Sequence, residues 1–144
     1  MRLNKKMENY IGIGKLSFIP LSDLAKEIPI PNHHFLIQKD DYGIEVIDTE
    51  TGLLASDAKS VIKAIKLLAD MIVHYTVKNT LKNGKEKFER INASLDHEEY
   101  REKYQQLKEL YDSKKKKRER RSKNFKLDSF KSNANYSIPE LTVA

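Results

Sequence analysis

The densest run of chemistry-bearing side chains is Lys114–Lys123, KKKKRERRSK, which is basic throughout except at Glu119 and Ser122. Lysine and arginine at this density bind phosphate backbones by releasing condensed counterions, with little preference for base sequence. Lys114, Lys115, Lys116, Lys117, Arg118, Arg120, Arg121 and Lys123 are therefore the expected contacts to nucleic acid, DNA or RNA. If about seven of these charges met duplex phosphates, log affinity would fall against log salt with a slope of roughly −6. Phe125, Phe130 and Tyr136 follow closely and would add stacking on single strands. The plainer alternative is a solvated run that only keeps the protein in solution. Without apolar anchors inside the run, a membrane would be held by charge alone, and no insertion is expected.

Other candidates fail on spacing. Gly12-Ile13-Gly14-Lys15 has glycines of the phosphate-binding kind, but a dinucleotide fingerprint needs a third glycine where Ser17 stands. A P-loop needs Ser or Thr where Leu16 stands, so the pair is expected to be strand glycines. His97-Glu98 opens like a zinc-protease helix, yet Arg101 occupies the second histidine position and would repel the metal. His33 and His34, expected in a loop or turn, are adjacent; on a strand they would point to opposite faces and could not chelate together. His74 is expected at the polar edge of a helix. Asp40, Asp41, Glu45, Asp48 and Glu50 crowd around turns, and none is expected to be buried, as a split acid–base pair would require. Tyr100, Tyr104 and Tyr111 share a helix face, where packing or self-association explains them better than base stacking. No catalytic residue, no metal ligand set and no cofactor are expected, and the chain is not read as an enzyme.

The charge distribution points the same way. Residues 1–112 hold 17 Lys/Arg against 18 Asp/Glu, whereas residues 113–144 hold 10 against 3. The net charge of +6 thus belongs to the C-terminal part. There is no cysteine, which excludes disulfides, thiolate zinc sites and cysteine nucleophiles. No stretch approaches the roughly 20 apolar residues that span a bilayer, and no signal-peptide core follows the first lysines. The expected location is the cytoplasm.

The elements that must position these groups follow from periodicity. Residues 1–9 are polar and expected to be flexible. A compact α+β domain is expected over 10–84. Within it, YIGIGKLSFI at 10–19 alternates as a strand, and Ser22 caps a short helix over 23–28. His34–Lys39 and Ile44–Asp48 flank Asp40-Asp41-Tyr42-Gly43 as a hairpin, and Leu53–Ala55 forms a short further strand. Asp57–Leu81 reads as one long amphipathic helix capped by Ser56 or Asp57 and stopped at Asn83-Gly84. Its apolar seam is Val61, Ile65, Leu68, Ile72 and Tyr75, broadened by Ile62, Ala69 and Val73. A charged helical segment over 85–112 is expected to break near Asn92-Ala93-Ser94, with Asp96 and Glu99 as a capping box. Residues 113–144 lack any sustained period and are rich in Lys, Ser and Asn, so they are expected to be a disordered basic tail.

The expected fold is α+β: a small antiparallel sheet of three or four strands within Tyr10–Ala55, covered by one long helix. The order of hairpin, short strand and long helix is similar to that of small α+β antitoxin and regulator domains. Two functions follow. The first is a small non-enzymatic accessory or regulatory protein whose basic tail holds nucleic-acid phosphates. The second is a protein-interaction module, antitoxin- or inhibitor-like, acting through the α+β domain, with a protein partner or a second copy of the chain engaged through the helices.

Overall fold

A computed structural model describes residues 10–94, 97–113 and 120–138. The alternating opening segment forms β1 (Tyr10–Pro20), after which the Ser22 hydroxyl caps the one-turn α1 (Asp23–Lys26) by accepting from the Ala25 amide at 3.1 Å. β2 (His33–Asp40) and β3 (Gly43–Asp48) form the expected hairpin. Asp40 Oδ1 accepts from the Tyr42 and Gly43 amides, and Gly43 has φ of 139°, which favours glycine there. β4 is Leu54–Asp57. Two helices follow, α2 (Val61–Ser94) and α3 (His97–Ser113), and then β5 (Arg120–Lys126) and β6 (Phe130–Ser137).

All six strands join one curled antiparallel sheet in the order β4-β3-β2-β1-β6-β5. This overturns the expected sheet of three or four strands with a disordered tail. Residues 120–138 form a hairpin, and β6 lies beside β1 in the interior of the sheet, bonded along both edges. The physical reason is that the outward positions of β6 are polar and its inward positions are half small. Phe130, Ser132, Ala134 and Tyr136 alternate inward, but two of the four are small, so the pattern has low hydropathy despite its period of two.

The main helix also differs at both ends. It starts at Val61, not at Asp57, because the Ser60 hydroxyl accepts from the Lys63 amide at 3.1 Å. Asp57 ends β4 and folds the intervening turn by accepting from the Lys59 and Ser60 amides at 2.9 and 2.7 Å. The helix then runs through Asn83-Gly84 to Ser94, since neither residue adopts the positive φ that a glycine stop requires. The expected break does occur: α2 ends at Ser94 and α3 begins at His97. The proposed cap at Asp96 and the flexible segment 1–9 lie outside the described residues.

Two packing layers result. On the inner face of the sheet, Ala64, Ile65, Leu68, Ala69, Ile72 and Val73 of α2 bury against Leu16, Phe35, Ile37, Val46, Phe125 and Phe130. The i, i+3, i+4 spacing of the helix seam is what puts those side chains in one stripe. On the outer face, Leu107 of α3 buries with Ile13 and Leu36, and Tyr100 and Tyr104 pack at its margin. Gly14 makes the inner layer possible: a Cβ there would lie 2.2 Å from Phe35 Cζ, so only glycine lets that ring cross β1. Among the described residues the sheet is therefore sandwiched unevenly, with α3 packed on β1 and β2 and the outer side of β6 and β5 left largely uncovered.

Candidate nucleic-acid interface

Cross-strand register decides which charges share a face. Lys114, Lys115, Lys116, Lys117 and Arg118 fall in 114–119, outside the described residues, in the connection from α3 to β5. Arg120, Arg121 and Lys123 stand on β5, an edge strand, and strand alternation separates them. Arg121 and Lys123 are opposite Tyr136 and Ala134, at the rim of the inner face. Arg120 is opposite Ser137 and belongs to the outer register. The described members of the run are thus divided between two sides of the sheet.

The strands around it contribute more. β1, β5 and β6 carry Lys15, Arg120, Arg121, Lys123, Lys126 and Lys131, and not one carboxylate. β2, β3 and β4 carry Lys39 against Asp40, Glu45, Asp48 and Asp57. The sheet is electrostatically halved along the β1–β2 seam. Lys15, Lys123, Lys126 and Lys131 are exposed and form no ion pair with another described residue, so their charge faces solvent. Lys126 and Lys131 oppose each other directly next to the β5–β6 turn, an arrangement that costs stability unless an anion sits between them.

Between Lys15, Lys126 and Lys131 the outer face presents amides and hydroxyls. Asn133 Nδ2 donates to Ser122 Oγ at 3.1 Å and to Asn124 Oδ1 at 2.8 Å, and Asn135 Nδ2 donates to Asn133 Oδ1 at 2.8 Å. Ser122, Asn135, Lys15 and His34 form one row across four strands. Asn124, Asn133 and Asn135 carry no signal in the sequence, because their juxtaposition depends on β6 pairing with β1 and β5. The expected stacking aromatics are elsewhere: Phe125, Phe130 and Tyr136 are buried in the core beneath α2 and cannot meet a base. Tyr100 and Tyr104 of α3 are packing residues too, with the Tyr104 ring 4.9 Å from that of His34 at an interplanar angle of 57°; the Tyr111 side chain lies outside the described residues.

The histidines and turn acids need correction as well. His33 and His34 lie on β2, not in a loop, and they do point to opposite faces. His33 is 1 % exposed, and its Nδ1 lies 2.8 Å from Oδ2 of Asp48, which is fully buried. Asp48 also accepts from the Glu50 and Thr51 amides and from the Thr51 hydroxyl. Burial of this carboxylate was not legible because its acceptor capacity is filled by the turn it initiates, a tertiary arrangement. A His–Asp pair can orient a base, but this one is sealed under Phe18, whose ring meets His33 edge-on at 6.0 Å. It staples the β3–β4 turn to β2. His74 is exposed on α2, as a polar-edge histidine should be.

Among the described residues, no helix is long and apolar enough to cross a membrane. Comparison with known protein families, with curated proteins and with solved structures finds no match for this chain.

Proposed function

We propose that this is a small non-enzymatic, cytoplasmic nucleic-acid-binding protein, accessory or regulatory in role, that holds phosphate backbones on the β1–β6–β5 half of its sheet. The observation that carries this reading is the segregation of charge: six basic residues and no acid on those three strands. Lys114–Arg118 precede β5 in the chain and lie outside the described residues. The exposed amides between the lysines are suited to hydrogen-bonding phosphate and sugar oxygens. With Phe125, Phe130 and Tyr136 in the core, affinity on this surface is electrostatic, and a stacking contribution is not part of it.

Removing residues 113–144 is not a usable test, because it also removes an interior strand of the sheet. Charge neutralisation in the full chain is. Binding of duplex and single-stranded oligonucleotides is measured over a salt series for the wild type and for Arg121→Gln/Lys123→Gln/Lys126→Gln/Lys131→Gln. The variant should keep its fold and lose about 3 to 4 from the magnitude of the log–log slope on duplex. If the wild type shows no salt-dependent binding to either, the proposal is finished, and the protein-interaction reading replaces it.

A further inference from the structure

Next to the basic half, α3 roofs a cleft of about 410 Å³ against the outer face of the sheet. Ile13, Lys15, His34, Tyr104, Lys108 and Asn135 line it. The register explains how they converge. Lys15 on β1 stands between Asn135 on β6 and His34 on β2, and directly facing residues on one sheet face have Cβ atoms about 5 Å apart. Tyr104 lies over His34, and Lys108 is one helical turn further along α3 on the same side. Among the described residues no carboxylate lines the cleft. The acid that acts on His34 is Glu50, which is already held by Arg101 at 3.0 Å.

Two ammonium groups, an amide and an imidazole around one hollow make a site for a compact anion. Lysines recognise phosphate as point charges, and two of them answer a doubly charged group better than the single charge of a backbone diester. The volume falls in the range of small-molecule sites, and Ile13 with the Tyr104 ring supplies an apolar wall for the rest of the ligand. Burial lowers the pKa of His34 below its usual value, with Lys15, Lys108 and His33 acting in the same direction and Glu50 opposing them. An incoming dianion would reverse that balance and draw a proton onto the ring.

We infer that the cleft between α3 and the β6–β1–β2 face binds a phosphomonoester, carried by a free mononucleotide or by the end of a nucleic-acid strand. The strand-end form rests on the nucleic-acid reading above, whereas the mononucleotide form does not.

The test uses the full chain and four ligands: a nucleoside monophosphate, its parent nucleoside, and one oligonucleotide with and without a terminal phosphate. Affinities come from calorimetry, and the site from chemical-shift changes at the His34 ring and the Lys15 and Asn135 amides. The monophosphate should bind at those residues and the nucleoside should not. Lys15→Gln and Lys108→Gln should each weaken the monophosphate about tenfold, a charge-assisted contact apiece. The Arg121→Gln/Lys123→Gln variant should leave it within about twofold, since those residues lie outside the cleft. A gain in affinity from the terminal phosphate identifies strand ends as a ligand, and no gain alongside monophosphate binding identifies the free nucleotide. The inference is overturned if monophosphate and nucleoside behave alike, or if both lysine variants bind as the wild type does. Failure of the unphosphorylated oligonucleotide to bind counts against the basic half of the sheet alone, because the monophosphate arm still decides the cleft.

Discussion

Phe130→Ala separates a folded C-terminal hairpin from a tail most sharply. Phe130 is 1 % exposed and packs in the main core with Phe125, Leu16 and the α2 seam. Truncating a buried phenylalanine to alanine costs about 3–5 kcal/mol, the lost transfer energy plus the cavity left behind. Total stability for a domain is about 5–15 kcal/mol, so the variant should retain only part of it. At roughly 3 °C per kcal/mol the melting temperature should fall by about 10–15 °C. Urea unfolding followed by far-ultraviolet circular dichroism should show a lower midpoint at unchanged slope, the sign of a weaker but equally cooperative unit. Tyr42→Ala, at a residue 93 % exposed, is the matched control and should stay within about 0.5 kcal/mol. A Phe130→Ala midpoint equal to that of the wild type would mean that residues 130–137 are not part of the sheet, and the argument from charge segregation would go with it.

Four further outcomes follow from the geometry. Gly14→Ala should cost about 1–3 kcal/mol by driving a methyl into the Phe35 ring, and Phe35→Leu in the same chain should recover part of that loss in a double-mutant cycle of denaturation midpoints. Asp48→Ala should cost at least about 3 kcal/mol in urea unfolding, because the His33 ring and the amides of the β3–β4 turn lose a buried acceptor together. The Lys59 and Ser60 amides lower the Asp57 pKa, so its contribution is full above the usual carboxylate value of 3.8 and disappears as pH falls through the lower folded value; Asp57→Asn should flatten stability against pH in that acid window. His34, lowered by burial, favours folding above its usual 6.5, and that contribution is lost on acidification through the lower folded value; His34→Gln should remove this part of the pH dependence.

The legible and illegible parts of the fold divide by the range of the interactions involved. Ile65, Leu68 and Ile72 could be placed on one buried stripe, with Val61 partly buried at its start, because helix packing repeats locally. The Asp40–Gly43 turn was likewise visible, since its carboxylate bonds amides two and three residues on. β6 was not visible, because the justification for Ser132 and Ala134 as inward residues is a neighbour more than a hundred positions away. Nor was the helix stop: Asn83-Gly84 tolerates a left-handed turn but does not force one, and a glycine inside a helix costs only about 1 kcal/mol. The candidate interface followed the same rule. The basic run was obvious, whereas Lys15, Asn133 and Asn135 acquired meaning only when the register placed them side by side.

The pairing of the first strand with the last also governs how the protein is made. During synthesis, β1 leaves the ribosome with its β2 neighbour following soon after, but the edge that will receive β6 stays open until residue 137 emerges. At about 5–20 residues per second that interval is roughly 6–25 s, long enough for many encounters between nascent chains. An unpaired edge carrying Ile13, Leu16 and Phe18 is a template for strands of another chain, and the single Lys15 is its sole charged gatekeeper. The nascent protein therefore has a built-in period of vulnerability, and arrest or truncation ahead of β6 should yield aggregates in place of a smaller folded domain.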